Sequence, residues 1–210
     1  AQVKSVIRKC DSVEHIWNGD ASVWKFHTPI LFPHCGKLVD GKLEAKGKVY
    51  ESSMHGFARD MEHDFVDQTE DTLVLELCSC PETLVRFPYE FRLVSTFTLE
   101  NDTLHHSLTV ENLDSDKLHF GIGYHPGYTV PFDDQHVATD YELRFSETES
   151  PICLNCLPTG LVQKDHYSLP ANINALPIDE QLFANDSHCM VNLKSATLGI
   201  YEKGRSEEHT

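Results

Sequence analysis

The sequence predicts an all-β protein, an antiparallel β-sandwich, and three observations carry that expectation. Apolar residues recur with a period of two in several segments, the pattern of strands with one buried face. Asn, Gly, Asp and Pro punctuate the chain between those segments, as turns between short strands require. No apolar pattern of helical period lasts three turns, so sheet must pack on sheet to form the core. At 210 residues the chain can enclose one large core, and all-β units of this size commonly form a single domain. The expected domain covers residues 1–204 and is read as partial, because the chain starts at Ala1 without Met and enters Val3 to Val6 as though already inside a structured segment.

The first element is the run Glu14 to Asp20, closed by the Asn18-Gly19 turn signal. A single helical turn around Val23-Trp24, capped by Asp20, follows it, and the two tryptophans are expected to pack. Thr28 to Leu38 sets an apolar core between Pro29 and Pro33, which suits a buried extended segment ending at a Gly36 turn on the rim that carries His55. Lys48-Val49-Tyr50 reads as a short hairpin arm.

Further on, Leu73, Leu75 and Leu77, then Phe91, Leu93, Phe97 and Leu99, alternate along two strands. Asn101-Asp102 turns the second into a third strand, on which Leu104, His106, Leu108 and Val110 share a face. His106 is read there as a structural, partly buried side chain. Strands over Leu118 to Tyr124 and Tyr141 to Phe145 come next, and Cys189 to Leu193 with Thr197 to Tyr201 is expected as a closing pair around Lys194-Ser195-Ala196. The polar tail of residues 205–210 breaks the pattern and reads as foreign to the protein.

Composition excludes some functions. With 17 basic and 33 acidic residues the formal net charge is -16, which opposes the phosphate neutralisation on which nucleic-acid binding depends. No apolar stretch approaches the length of a membrane span and no charged-then-apolar leader opens the chain, so a cytoplasmic protein with no membrane partner is expected. Seven cysteines cannot all pair within the chain, and reduced thiols are expected. Cys153-Leu154-Asn155-Cys156 has C-x-x-C spacing, but no second such pair completes a four-ligand set, so no metal is expected there.

Two short stretches carry chemistry. In Met54-His55-Gly56-Phe57-Ala58-Arg59-Asp60 a glycine after a histidine lets the backbone turn tightly and present the ring, with a planar cation close behind. Arg59 can fork onto hydroxyl or carboxylate oxygens, or pair with Asp60 or Glu62. In Gly121-Ile122-Gly123-Tyr124-His125-Pro126-Gly127-Tyr128 a second histidine ends a strand before a proline. Two loop histidines then need one explanation.

Together with the segment from Pro29 to Leu38 and with Phe87-Pro88-Tyr89-Glu90-Phe91, these stretches resemble the aldose 1-epimerase (galactose mutarotase) family, in its LacX-like branch, from about Val13 to Lys203. The resemblance implies a galactose-mutarotase-like supersandwich, here incomplete, that binds a free hexose and interconverts its anomers without a cofactor. It implies His125 as the acid acting on the ring oxygen, and His55 as its companion. Asp186, in Leu182-Phe183-Ala184-Asn185-Asp186-Ser187, is implied to bind the sugar. Lys37 stands where many relatives carry arginine, and cannot supply the same two-pronged hydrogen bonding.

Anomer exchange removes the C1 hydroxyl proton, protonates the ring oxygen, rotates the aldehyde and recloses the ring, and an imidazole can give and recover that proton. The glutamate base of the family falls in a later segment, so the base is expected beyond residue 204. Weak sugar binding with little mutarotation is therefore expected of the 210 residues. Two rival readings are a sugar-binding or sugar-sensing module without turnover, and a metal-dependent β-barrel. The second is weakened by His105-His106, which face opposite ways on a strand.

Overall fold

A computed structural model describes residues 1–184 and 186–204. The foreign-tail expectation for residues 205–210 lies outside the described residues. The chain divides into two compact units, one made of Ala1–Lys4 with Ile16–Gly127, the other of Ser5–His15 with the described residues from Tyr128 onward. Strand pairing is antiparallel throughout the sheets, and Pro81–Leu84 is the single α-helical turn among the described residues.

The first unit is built on a four-stranded sheet, ordered Asp64–Gln68, Thr72–Cys78, Phe91–Glu100, Thr103–Asn112. Its register sets Leu73, Leu75 and Leu77 opposite Phe97, Ser95 and Leu93, and these opposite His106, Leu108 and Val110. Cross-strand neighbours point to the same side, so the residues that alternate in the sequence make one continuous face. Glu100 pairs with Thr103 across a two-residue turn in which Asn101 takes a left-handed φ of 53°, as the Asn-Asp signal required.

Against that sheet lies the proline-bounded segment. Pro29, Ile30, Leu31, Phe32 and Pro33 are all buried, and the Phe32 ring sits 5.0 Å from Phe91, 5.9 Å from Phe87 and 6.2 Å from Phe57. Each fully buried phenylalanine contributes about 1.5–3 kcal/mol, so this aromatic cluster is the strongest anchor in the unit. Lys42–Ala45 and Lys48–Glu51 form the expected short hairpin.

Only Gly123–Tyr124 of the expected Leu118 to Tyr124 strand is a strand, paired with Ile30–Leu31. Flanking contacts persist as single hydrogen bonds, Gly121 N to Pro33 O at 2.8 Å and His125 N to Pro29 O at 3.1 Å. Pro29 and Pro33 have no amide to return, which ends the ladder at both sides.

In the second unit one sheet is ordered Ile173–Pro177, Tyr141–Glu149, Leu198–Glu202, and another His166–Ser168, Ile152–Leu154, Cys189–Val191. The expected closing pair is thus split: Cys189–Val191 joins Ile152–Leu154, whereas Leu198–Glu202 joins Tyr141–Glu149. The Glu149 carboxylate accounts for the split, since it accepts the amides of Lys194 at 2.8 Å and Ser195 at 2.6 Å and pulls the connecting turn away from hairpin geometry. Tyr141, Phe145, Leu176, Ile178 and Leu182 form this unit's buried core.

Candidate active site

The first unit brings His55, Arg59 and His125 together. Gly56 pairs with Phe32 in an isolated bridge, and the Phe32 carbonyl accepts the amides of Phe57 at 2.9 Å and Ala58 at 3.2 Å. The loop bearing His55 is thereby fastened to the aromatic core. His55 and Gly56 both take left-handed φ values, 68° and 73°. For the histidine this conformation is unusual and costs energy. At Gly56 only a hydrogen fits, because a Cβ would stand 2.2 Å from the Phe32 carbonyl oxygen.

Gly36 meets the same loop. Its carbonyl accepts the His55 amide at 2.8 Å, and its amide donates to His55 Nδ1 at 3.0 Å. A nitrogen that accepts carries no proton, so neutral His55 holds its hydrogen on Nε2 and offers it outward as a donor. Burial, reinforced by the positive charges of Arg59, His125 and His34, lowers the His55 pKa to about 4. His55 is therefore a neutral hydrogen-bond donor at neutral pH.

The His125 ring lies 5.4 Å from that of His55, nearly perpendicular to it, and 5.0 Å from Trp24. His125 is exposed, open to a ligand on the side not covered by its aromatic neighbours. Trp24 is placed by a hydrogen-bonded turn at the position where the sequence predicts a helical turn: Asp20 O accepts the Trp24 amide at 2.7 Å and Asp20 Oδ1 accepts the Ser22 amide at 2.8 Å. Trp17 packs with it, donating its indole N–H to Trp24 O at 2.8 Å. Gly127 permits this approach, since a Cβ there would stand 2.9 Å from the Trp24 ring.

Arg59 takes the local pairing weighed above: Nε is 3.7 Å from Asp60 Oδ2. Its guanidinium also covers the Phe26 ring at 4.5 Å and donates to Met54 O at 3.0 Å, bracing the His55 loop. Lys37 is exposed on the turn directly after Gly36. Asp186 belongs to the second unit, exposed and with a left-handed φ of 63°. Three residues of the site escaped the sequence reading. Trp24 was legible only as the packing partner of Trp17, and Phe26 was not singled out. His34, whose Nε2 lies 2.6 Å from Ser52 Oγ, stood inside the Pro33 to Gly36 motif without being singled out.

Among the described residues no group of three or more His, Cys, Asp or Glu side chains is placed to hold a metal ion. No helix among them is long and apolar enough to cross a membrane.

The likeness to known proteins runs along most of the chain. The chromosomal LacX protein of Lactococcus lactis subsp. lactis is 29% identical over 202 residues, covering 92% of this chain and 68% of that protein, and the plasmid-borne LacX of the same organism matches equally. A galactose mutarotase related enzyme from Lactobacillus acidophilus superposes with a TM-score of 0.90 over 97% of this chain and 68% of its own, at 23% identity, which shows the shared fold. A galactose mutarotase-like protein from Lactobacillus casei does so with a TM-score of 0.76 over 83% of this chain and 60% of its own, at 32% identity. The sequence model of the aldose 1-epimerase family matches residues 1–196. With its antiparallel all-β architecture and its galactose mutarotase-like fold, the chain belongs to the aldose 1-epimerase family, in the LacX-like branch.

Proposed function

We propose that the chain binds a free hexose at the His55–His125 pair and takes part in interconversion of its α and β anomers. The observation that carries this reading is the 5.4 Å pairing of two histidine rings, one of them held neutral as an Nε2–H donor. In the proposed reaction the C1 hydroxyl gives its proton to solvent water while His125 gives its own to the sugar ring oxygen and the C1–O5 bond opens, and both transfers reverse when the ring closes on the other face. His55, a donor that does not release its proton, hydrogen-bonds the same region of the sugar. Arg59 and Lys37 are proposed to bind hydroxyls, and Trp24 to offer an apolar face to the sugar's C–H groups. Asp186 is proposed as a further sugar-binding residue on the strength of the motif that carries it. No cofactor takes part.

Among the described residues no carboxylate hydrogen-bonds or ion-pairs with His55 or His125, whose polar and ring partners are Gly36 and Trp24 and each other, and this observation favours a second reading, a sugar-binding module without turnover. Polarimetry of freshly dissolved α-galactose and α-glucose separates the two. The mutarotase reading expects a modest acceleration over buffer that His125→Ala abolishes, because half of an acid–base pair is worth about 10²–10⁴ less than the whole. Saturable binding with exchange at the buffer rate supports the module instead. Acceleration that survives His125→Ala contradicts the role given to His125.

A further inference from the structure

In the second unit three cysteines converge on one small sheet. Ile152–Leu154 lies between His166–Ser168 and Cys189–Val191, with Leu154 directly opposite Cys189 and Cys153 directly opposite Met190 and Tyr167. Side chains alternate across a strand, so Cys189 shares its face with Leu154 while Cys153 points to the other. Just past the strand's end the chain doubles back, and Cys156 directs its thiol to the Leu154 carbonyl, with Sγ at 3.8 Å. That carbonyl belongs to the residue facing Cys189. Cys156 and Cys189 are accordingly neighbours at this end of the sheet, and burial together with the nearness of Cys189 raises the Cys156 pKa. All seven cysteines of the chain are free thiols.

Both sides of this pair are held in place. His188, next to Cys189, has its ring fixed at both nitrogens: Nε2 donates to Leu182 O at 2.6 Å, which leaves Nδ1 to accept the Tyr167 hydroxyl at 2.7 Å. Tyr167 Oη also engages the Cys153 thiol. Cys153 is fully buried and points to the opposite face of the strand. At the other end, Asn155 fastens the Cys156 turn, its side chain donating to Asp165 Oδ2 at 2.9 Å and accepting the Leu157 amide at 3.0 Å.

We propose that Cys156 and Cys189 are a dithiol switch that closes to an intrachain disulfide on exchange with a small-molecule disulfide. One thiolate attacks a sulfur of the oxidised reagent, forming a mixed disulfide and releasing one reagent thiolate. The second protein thiolate then attacks the protein sulfur of that mixed bond, forming the Cys156–Cys189 bond and releasing the second reagent thiolate. The two protein thiols lose two protons and two electrons, and the reagent disulfide becomes two thiols. The sulfurs must close to about 2.0 Å, which neighbouring side chains can do by rotation. Asp186 precedes Cys189 by three residues, so the bond also ties down the strand into which the Asp186 turn runs. Burial and the adjacent Cys189 raise the Cys156 pKa. Closure therefore accelerates with pH, since the thiolate is the reacting form.

The test uses the whole chain with excess oxidised glutathione at pH 8.5, followed by non-reducing peptide mapping by mass spectrometry. Exposed Cys10 and Cys35 serve as internal controls that the reagent has acted, through their mixed disulfides. The expected result is a linked Cys156–Cys189 peptide free of glutathione, reopened by dithiothreitol, and retained in Cys153→Ser. In Cys156→Ser, Cys189 should instead keep its glutathione. Glutathione persisting on Cys156 or Cys189 of the wild-type chain, a bond from either to Cys153, or no change at either while Cys10 and Cys35 react, would overturn the proposal.

Discussion

Gly36 and His55 exchange two hydrogen bonds: the His55 amide donates to the Gly36 carbonyl at 2.8 Å, and the Gly36 amide donates to His55 Nδ1 at 3.0 Å. A backbone donor at Nδ1 decides which nitrogen of a neutral imidazole bears the proton, so a turn residue sets the chemistry of the ring. Nitrogen-15 NMR of the histidine rings at pH 7 should show His55 as the Nε2–H tautomer. On acidification it should titrate near 4. A titration near the ordinary 6.5 would contradict this assignment.

The neighbouring position tests how the loop is fastened. Gly56→Ala places a methyl group 2.2 Å from the Phe32 carbonyl oxygen at a φ of 73°. Backbone strain of this kind costs about 1–3 kcal/mol, before the displacement of Phe32 is counted. Urea denaturation should register at least that loss, while Gly47→Ala, where φ is also positive but nothing stands within 4 Å, should lose less.

Acid should weaken the fold through two histidines. His55 and His106 are both lowered to about 4, His55 by burial with nearby positive charge, and His106 by burial with the terminal amine. Their folded-state values lie below the unfolded value of about 6.5, so the unfolded chain binds more protons across that interval. Stability is then fully present above pH 6.5 and is lost as pH falls toward 4. His106 is stacked on Phe97 at 4.0 Å with Nε2 buried and unpartnered. His106→Phe keeps an aromatic ring there and should flatten the pH dependence in guanidinium melts between pH 7 and pH 4.5. An unchanged slope would show that His106 takes no part in it.

Much of this arrangement was legible in the sequence, for reasons that particular residues make plain. Leu73 to Leu77, Phe91 to Phe97 and His106 to Val110 alternate because each strand has one buried face, and their register confirms that face. Pro29 and Pro33 marked the buried segment, and Gly36 at its end does reach His55. What local pattern could not show was the choice of partner. Nothing within Cys189 to Tyr201 reveals that Glu149, 45 residues before Lys194, accepts the amides of its turn. The place of Trp24 against His125 also depends on contacts distant in sequence.

Trp24 offers a test of that last contact. Its ring lies 5.0 Å from His125, and aromatic pairs of this kind are worth about 0.5–1.5 kcal/mol. Trp24→Leu should loosen His125 and weaken sugar affinity by roughly threefold to tenfold, as that energy converts, with the melting temperature changed little. Calorimetric titration with galactose or glucose measures it, and unchanged affinity would remove Trp24 from the site.

The most direct measurement of the central claim, that His55 and His125 address one sugar, is a hexose titration followed on the histidine ring resonances. Galactose or glucose should shift the His55 and His125 signals together along one saturation curve, while His106, engaged with Phe97, stays in place. Saturable binding that moves neither His55 nor His125, or moves only one of them, would contradict the claim.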